Sequence, residues 1–222
     1  KIFAHGWWTN EGQKISKSLG NTIDPYDIIK EYGLDQIRFF LFREVPFGND
    51  GDFSKKAISK RVNADLSNNY GNLVQRILTF IEKNCNSTLG PSNNFNDADN
   101  NLINNFHIKF KEYLSFMNNQ QIDRGIKSII ELLSLTNAYV DEQAPWSLKN
   151  KDIDRMQTVL FVVVNIIIKA TIMLYPVIPS SSSKVLSFFN LEIENNNFNN
   201  FNKLITNIIK INSPTPVFPR ID

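Results

Sequence analysis

The sequence predicts a mainly α protein, in which a short α/β segment carrying a lysine-containing loop leads into an antiparallel helical bundle. Three observations predict it. From Ser54 onward, apolar residues recur at three- and four-residue steps in one segment after another, the spacing that lines one face of a helix. Val159 to Ile178 is apolar almost throughout, as the innermost helix of such a bundle is. Only Ile2 to Thr9 reads as a buried strand, and a turn-rich break soon follows it.

In chain order, Asn10-Glu11-Gly12 turns that strand into the loop Gln13-Lys14-Ile15-Ser16-Lys17-Ser18-Leu19-Gly20-Asn21. Asp24-Pro25 opens a helix, with Asp24 at the N-cap, Pro25 in the first position and Asp27 near the third; Gly33 closes it. Asp35 is expected to cap a second helix carrying Ile37, Phe40 and Leu41, with Arg38 exposed, that stops before Pro46. Phe47-Gly48-Asn49-Asp50-Gly51-Asp52 breaks the chain. Residues 1–53 and 54–222 are therefore expected to form two units.

Ile58, Val62, Leu66, Leu73, Ile77 and Phe80 mark the first bundle helix, reaching about Lys83. A polar loop, Asn86 to Asn96, holds Gly90-Pro91. Leu102, Phe106, Phe110, Tyr113 and Met117 mark a second helix, and Ile122, Ile126, Ile129, Leu133 and Val140 a third. Asp141 to Asn150 is a loop built around Pro145-Trp146. A fourth helix starts at Asp152 or Asp154 and ends at Pro176, and Ser180 to Phe189 suggests a shorter fifth. The Asn-rich stretch Asn190 to Asn202 reads as a surface excursion, and the proline-studded tail Pro214 to Arg220 as extended chain.

At 222 residues and 42% hydrophobic, the chain can bury a sizeable core. A net charge of +2 confines any nucleic-acid site to a local patch. The single cysteine, Cys85, rules out an internal disulfide or a cysteine metal site, and two histidines far apart, His5 and His107, make a structural zinc implausible. No metal site is expected within the chain. This composition fits a reducing, cytoplasmic setting, and no signal peptide is visible. Asn165, Lys169 and Pro176 interrupt the apolar run, so it reads as a buried helix and not a membrane span. Because the sequence begins at Lys1 without a methionine, it is expected to be a piece of something longer.

Two places carry chemistry. Lys14 and Lys17 offer mobile ammonium groups suited to phosphate oxygens, and Ser16 and Ser18 add short donors. A solvated basic loop is the plain alternative. Asn72 and Arg76, at i and i+4, share a helix face where an amide and a guanidinium can read the edge of an unpaired base. The alternative is a solvated edge with Arg76 bridging to an acid. Trp146, stiffened by Pro145, is either a stacking platform for a base or a plug for the bundle end. His5 either lines a nucleotide pocket or is structural.

Lys14-Ile15-Ser16-Lys17-Ser18 resembles the Lys-Met-Ser-Lys-Ser signature of class I aminoacyl-tRNA synthetases, with Ile15 in place of Met. His5-Gly6-Trp7 upstream and Leu19-Gly20-Asn21 with Asp24-Pro25 downstream match as well. Arg61-Val62-Asn63-Ala64-Asp65-Leu66, Gly71-Asn72-Leu73-Val74-Gln75-Arg76, Ala144-Pro145-Trp146 and Phe218-Pro219-Arg220-Ile221 narrow the resemblance to methionyl-tRNA synthetases, across essentially the whole chain. The resemblance implies a ligase that joins methionine to its tRNA through methionyl-adenylate, with ATP and Mg2+ as co-substrate. It implies that Lys14 and Lys17 act on the triphosphate, with Ile15, Ser16 and Ser18 completing the ATP loop. Asn72, Arg76 and Trp146 would bind the anticodon, chiefly its first base, in a class Ia anticodon-binding bundle. The implied partners are the CAU anticodon stem-loop, and methionine and ATP held together with a nucleotide-binding half whose His-Ile-Gly-His-type signature is absent here. The chain alone is then expected to be inactive. Another class I synthetase, or a non-catalytic helical RNA-binding protein, are the alternatives; indifference to the anticodon would mark the first.

Overall fold

In the computed structural model, residues 4, 6–46, 48–193 and 201–221 are described. Ile2, Phe3 and His5 of the expected strand, Phe47, and residues 194–200 of the Asn-rich stretch lie outside them.

A small sheet carries the lysine loop. Strands β1 (Trp8–Asn10) and β2 (Gln13–Lys14) form an antiparallel hairpin, Thr9 opposite Lys14. Strand β3 (Gly51–Asp52) lies parallel to β1 on its other side, so the turn-rich break ends in the sheet itself. Trp8, Phe40 and Phe53 pack tilted and edge-to-face in a cluster with ring centroids 5.7–6.2 Å apart, tying the sheet to the helices. Gly51 has to be glycine: a β-carbon there would lie 2.9 Å from the Trp8 ring.

Helix α1 (Pro25–Tyr32) starts as the sequence predicts, with the Asp24 carboxylate accepting from the Tyr26 amide. Helix α2 (Leu34–Arg43) corrects two expectations. Gly33 takes φ +93, so Leu34 already belongs to the helix and Asp35 lies inside its first turn, buried. Its carboxylate instead accepts from the Ser181 amide, at 2.6 Å, at the start of the last helix, where an anion suits the dipole. Arg38 is half-buried and not free in solvent: it donates to the carbonyls of Pro176 and Val177 at 2.8 and 2.9 Å.

The first bundle helix is continuous but irregular. Helix α3 (Lys55–Arg61), capped by Ser54, runs into a π-helical segment, Val62–Gly71, before α4 (Asn72–Asn84). Periodicity alone does not reveal the wider turn, because Val62, Leu66 and Tyr70 still face inward. The tail docks on this segment. Asn63 exchanges two hydrogen bonds with the Ile221 backbone, at 2.7 and 2.9 Å, and Phe218 packs on Tyr70.

Helices α5 (Asp97–Asn118) and α6 (Ile122–Gln143) are joined by three residues and so pack antiparallel. The expected loop after α6 holds one helical turn, α7 (Pro145–Leu148). Asp152, and not Asp154, caps α8 (Ile153–Leu174), and α9 (Pro179–Ser187) follows. Strands β4 (Thr88–Leu89) and β5 (Ile209–Lys210) pair antiparallel, a contact absent from the expected polar loop. Helix α8 is long and apolar enough to cross a membrane, but 94% of its most apolar stretch is buried inside the protein. It is the core around which α4, α5, α6 and α9 pack.

Within that core, Lys169 points its ammonium at the carbonyls of Phe201 and Lys203 (2.7 Å to the latter) and between the rings of Phe106 and Phe201. Burial pushes this amine down to about 8. The folded chain therefore sheds the proton before an unfolded lysine, which titrates near 10.5. The cost of burying the charge is carried in full below about pH 8 and relieved as pH rises toward 10.5. The stability of the wild type relative to Lys169→Met should rise across that window by at most about 3 kcal/mol. Melting temperatures of both proteins against pH check this, and a pH-independent difference would refute it.

Candidate functional site

The lysine loop is built by side chains more than by the sheet. Glu11 and Gly12 both take positive φ, 51° and 76°, the two-residue turn that suits a twisted hairpin. Asp52 staples it, accepting from the Thr9 hydroxyl at 2.6 Å and the Gly12 amide at 2.7 Å. These two bonds, that of Thr9 foremost, hold the Asp52 carboxyl below its usual range. Beyond β2, Ser16 caps a single 3-10 turn, Lys17–Leu19, that Gly20 ends in the left-handed region (φ 65°). Asn21 then folds back. Its carbonyl accepts from Asn10, its side-chain oxygen accepts from the Ser16 amide, and its amide donates to the Lys14 carbonyl, at 2.8, 2.9 and 3.0 Å. Ser16 and Ser18 hydroxyls lie 2.7 Å apart. Lys14 and Lys17 are exposed, and neither ammonium is paired among the described residues. Ile15 is half-buried. The loop thus presents two uncommitted cations on a folded frame. Residue type alone assigns Asn21 no role; its place just after a glycine at a turn is the one sequence signal for it.

The second cluster gathers at one end of the bundle. Asn72 and Arg76 share the exposed edge of α4, as their spacing predicts. The Arg76 guanidinium lies over the Trp146 ring, 5.9 Å from its centroid, a distance at which cation and ring attract. Sequence spacing could not establish that meeting. Trp146 is no plug: it is 44% exposed, held by the buried Pro145 and by Ala144 in the left-handed region (φ 41°). The plainer reading of Arg76 also holds, since it pairs with Asp141 at 2.9 Å. With the Asp141 side chain 62% exposed, that bridge is worth only about 0–1 kcal/mol, so an incoming base can compete for the guanidinium. The Asn72 side chain is exposed and without a partner among the described residues. The cluster thus sets a guanidinium over a flat ring, with an unpaired amide one turn away along α4, groups of the kind that can hold an unstacked base. Asp141 and Asn137, which touch Arg76 from α6, were not singled out from sequence, although their own i, i+4 spacing puts them on one face.

Two family matches cover most of the chain, and the first extends past the lysine loop to include Asn72 and Arg76. Residues 1–78 match the family described as tRNA synthetases class I (M), and residues 90–221 match the anticodon binding domain of methionyl tRNA ligase. The methionine–tRNA ligase of Rickettsia conorii is 40% identical over all of this chain and 44% of its own length. That of Brucella suis is 38% identical over 99% of this chain and 43% of its own length. The structure of Mycobacterium tuberculosis methionyl-tRNA synthetase bound by methionyl-adenylate superposes with a TM-score of 0.92 at 34% identity, covering 98% of this chain and 44% of that one. The chain therefore spans less than half the length of these relatives. Its two matched segments together place it: the chain belongs to the methionyl-tRNA synthetase family of class I aminoacyl-tRNA synthetases.

Proposed function

We propose that this chain is the loop-bearing and tRNA-reading part of a methionine–tRNA ligase, with residues 1–53 as the loop unit and 54–222 as the anticodon-binding bundle. The whole enzyme joins methionine to ATP to give methionyl-adenylate and pyrophosphate, then passes the acyl group to the terminal adenosine of tRNA. The family match and the neighbouring structure bound by methionyl-adenylate support this reading. Lys14 and Lys17 bring positive charge to the triphosphate as charge develops on it. Ser16 and Ser18, with the half-buried Ile15, keep the turn in shape. Mg2+ enters with ATP, and among the described residues no group of three His, Cys, Asp or Glu gathers. Asn72, Arg76 and Trp146 take the first base of the CAU anticodon. The setting is the cytoplasm, where tRNA is charged.

The observation that carries the RNA half of this reading is Arg76 poised over an exposed Trp146. Titrating the chain with CAU and GAU anticodon stem-loops, followed by tryptophan emission, tests it. CAU should bind tighter by about 1–3 kcal/mol, the range of a specific base contact, and Trp146→Ala should abolish the preference. Equal binding of both loops by the wild type would refute anticodon reading.

A further inference from the structure

Arg76 does not hold its orientation alone. Its Nη2 donates to Asn137 Oδ1 at 3.3 Å. Asn137 is itself locked: its Nδ2 donates to the Asn69 side-chain oxygen at 2.8 Å, the Leu133 carbonyl at 3.1 Å and the Asn69 carbonyl at 3.2 Å. Three acceptors surround that nitrogen, so a flipped amide would set oxygen against oxygen, and Oδ1 is bound to face the guanidinium. Asn69 is held in turn by donating to Ser134 Oγ at 2.9 Å and to the Ile130 carbonyl at 3.2 Å. It belongs to the π-helical segment, one turn before α4 begins. Asp141 Oδ1 also accepts from Arg76 Nη1, at 2.9 Å, but its side chain is 62% exposed and free to follow the guanidinium, and Arg76 Nε is buried with no partner. What aims the guanidinium across Trp146 is thus a directional amide, set by a residue of the π segment.

We propose that Asn137 is a positioning residue of the base-reading site, and that Asn69 acts through it. This rests on the anticodon reading above. Neither residue needs to touch RNA; their effect is to keep Arg76 in the one orientation from which it reads a base edge while covering the ring. Loosening it leaves stacking on Trp146 intact, which every base enjoys, and removes the discriminating contact.

The test is the ratio of GAU to CAU dissociation constants for the folded chain. Asn137→Ala should lower that ratio about three- to tenfold, the worth of one hydrogen bond, by weakening CAU and leaving GAU almost unchanged. Asn69→Ala, which leaves the Asn137–Arg76 bond but frees its anchor, should lower it in the same direction. In an Arg76→Ala background, Asn137→Ala should change nothing further, an outcome that general loosening of the helix would not give. Urea unfolding of each variant confirms a folded chain. A wild type that prefers CAU, with variants that keep its full ratio, would overturn the positioning role and leave anticodon reading standing. A wild type with no preference would overturn both.

Discussion

Asp99→Ala should lower the unfolding free energy by about 3–5 kcal/mol, the cost of leaving a buried charge without its partner. Asp99 is fully buried yet ionised. Burial pushes its carboxyl up, but Arg155, the Tyr139 hydroxyl and the Asn96 amide outweigh that and hold it below the usual range. Arg155 grips both carboxylate oxygens, at 2.8 Å for Oδ1. Tyr139 donates to the carboxylate from α6, and the Asn96 amide closes a capping box at 2.9 Å. Three helices meet here: the start of α5, the end of α6 and the first turn of α8. Arg155 also donates to Gln143 at 2.7 Å, so the network brackets both ends of the turn carrying Trp146. Urea midpoints at unchanged slope read the loss. The control is Tyr139→Phe, which removes one donor and should cost about 1 kcal/mol. The sign with pH is fixed. A carboxyl held below its unfolded value of 3.8 contributes fully above it and loses that contribution as pH falls through the lowered value. The gap between wild type and Asp99→Ala should therefore close in acid. A loss under about 1 kcal/mol at neutral pH, the range of a mere surface pair, would sink the argument.

The parts of this fold that were legible in sequence are those governed by local rules. Apolar spacing marks the faces of α5 and α6, where Phe106 and Ile129 are buried by helical geometry itself, and an unbroken apolar run marks α8, which is buried all round. Asp24-Pro25 and Asp152 named helix starts because a cap acts over two or three residues. Asp35 misled for the opposite reason. Its residue type signals a cap, but Gly33, at positive φ, already begins the helix at Leu34, and the carboxylate meets the start of another helix 146 residues away. Strands of two residues, such as β3 and β4, carry no alternation to detect. The π segment escaped because its inward residues keep a four-residue step.

The site divides in the same way. Asn72 and Arg76 stand out as candidates because i and i+4 share a face, and the lysine loop because its residues are contiguous. That Trp146 meets Arg76 depends on how α6 and α8 place a short turn beside α4, which no local rule supplies. Asn137, Asp141 and Asn21 look like ordinary polar residues until their partners are known. Each matters through what it holds, and sequence spacing is silent on that.

Lys17→Ala, in a full-length ligase carrying this segment, should slow methionine-dependent ATP–pyrophosphate exchange by about 10²–10³-fold, the usual cost of removing a group that stabilises transition-state charge. The size is reasonable on electrostatic grounds. One unit charge about 4 Å from another, at the effective dielectric of a protein surface, contributes about 4 kcal/mol. Lys17 is the better placed of the two lysines for this. Lys14 ends a strand whose backbone is paired to Thr9, so its root is fixed to the sheet. Lys17 begins a turn held by Ser16, Gly20 and the Asn21 staple, and a turn anchored by side chains can move toward a bound triphosphate more readily than a strand. Lys14→Ala should accordingly cost less. The loss in Lys17→Ala should fall mainly on kcat, because the contact strengthens as charge develops. Affinity of the chain for the CAU stem-loop should not change, since Arg76 and Trp146 lie on the bundle and not on the loop. Lys17→Arg keeps the charge but replaces a compact ammonium by a planar fork, so it should recover only part of the rate. Wild-type exchange in Lys17→Ala would remove the loop from the chemistry. A matching loss of stem-loop affinity would mean that the substitution unfolds the chain and does not simply withdraw a cation.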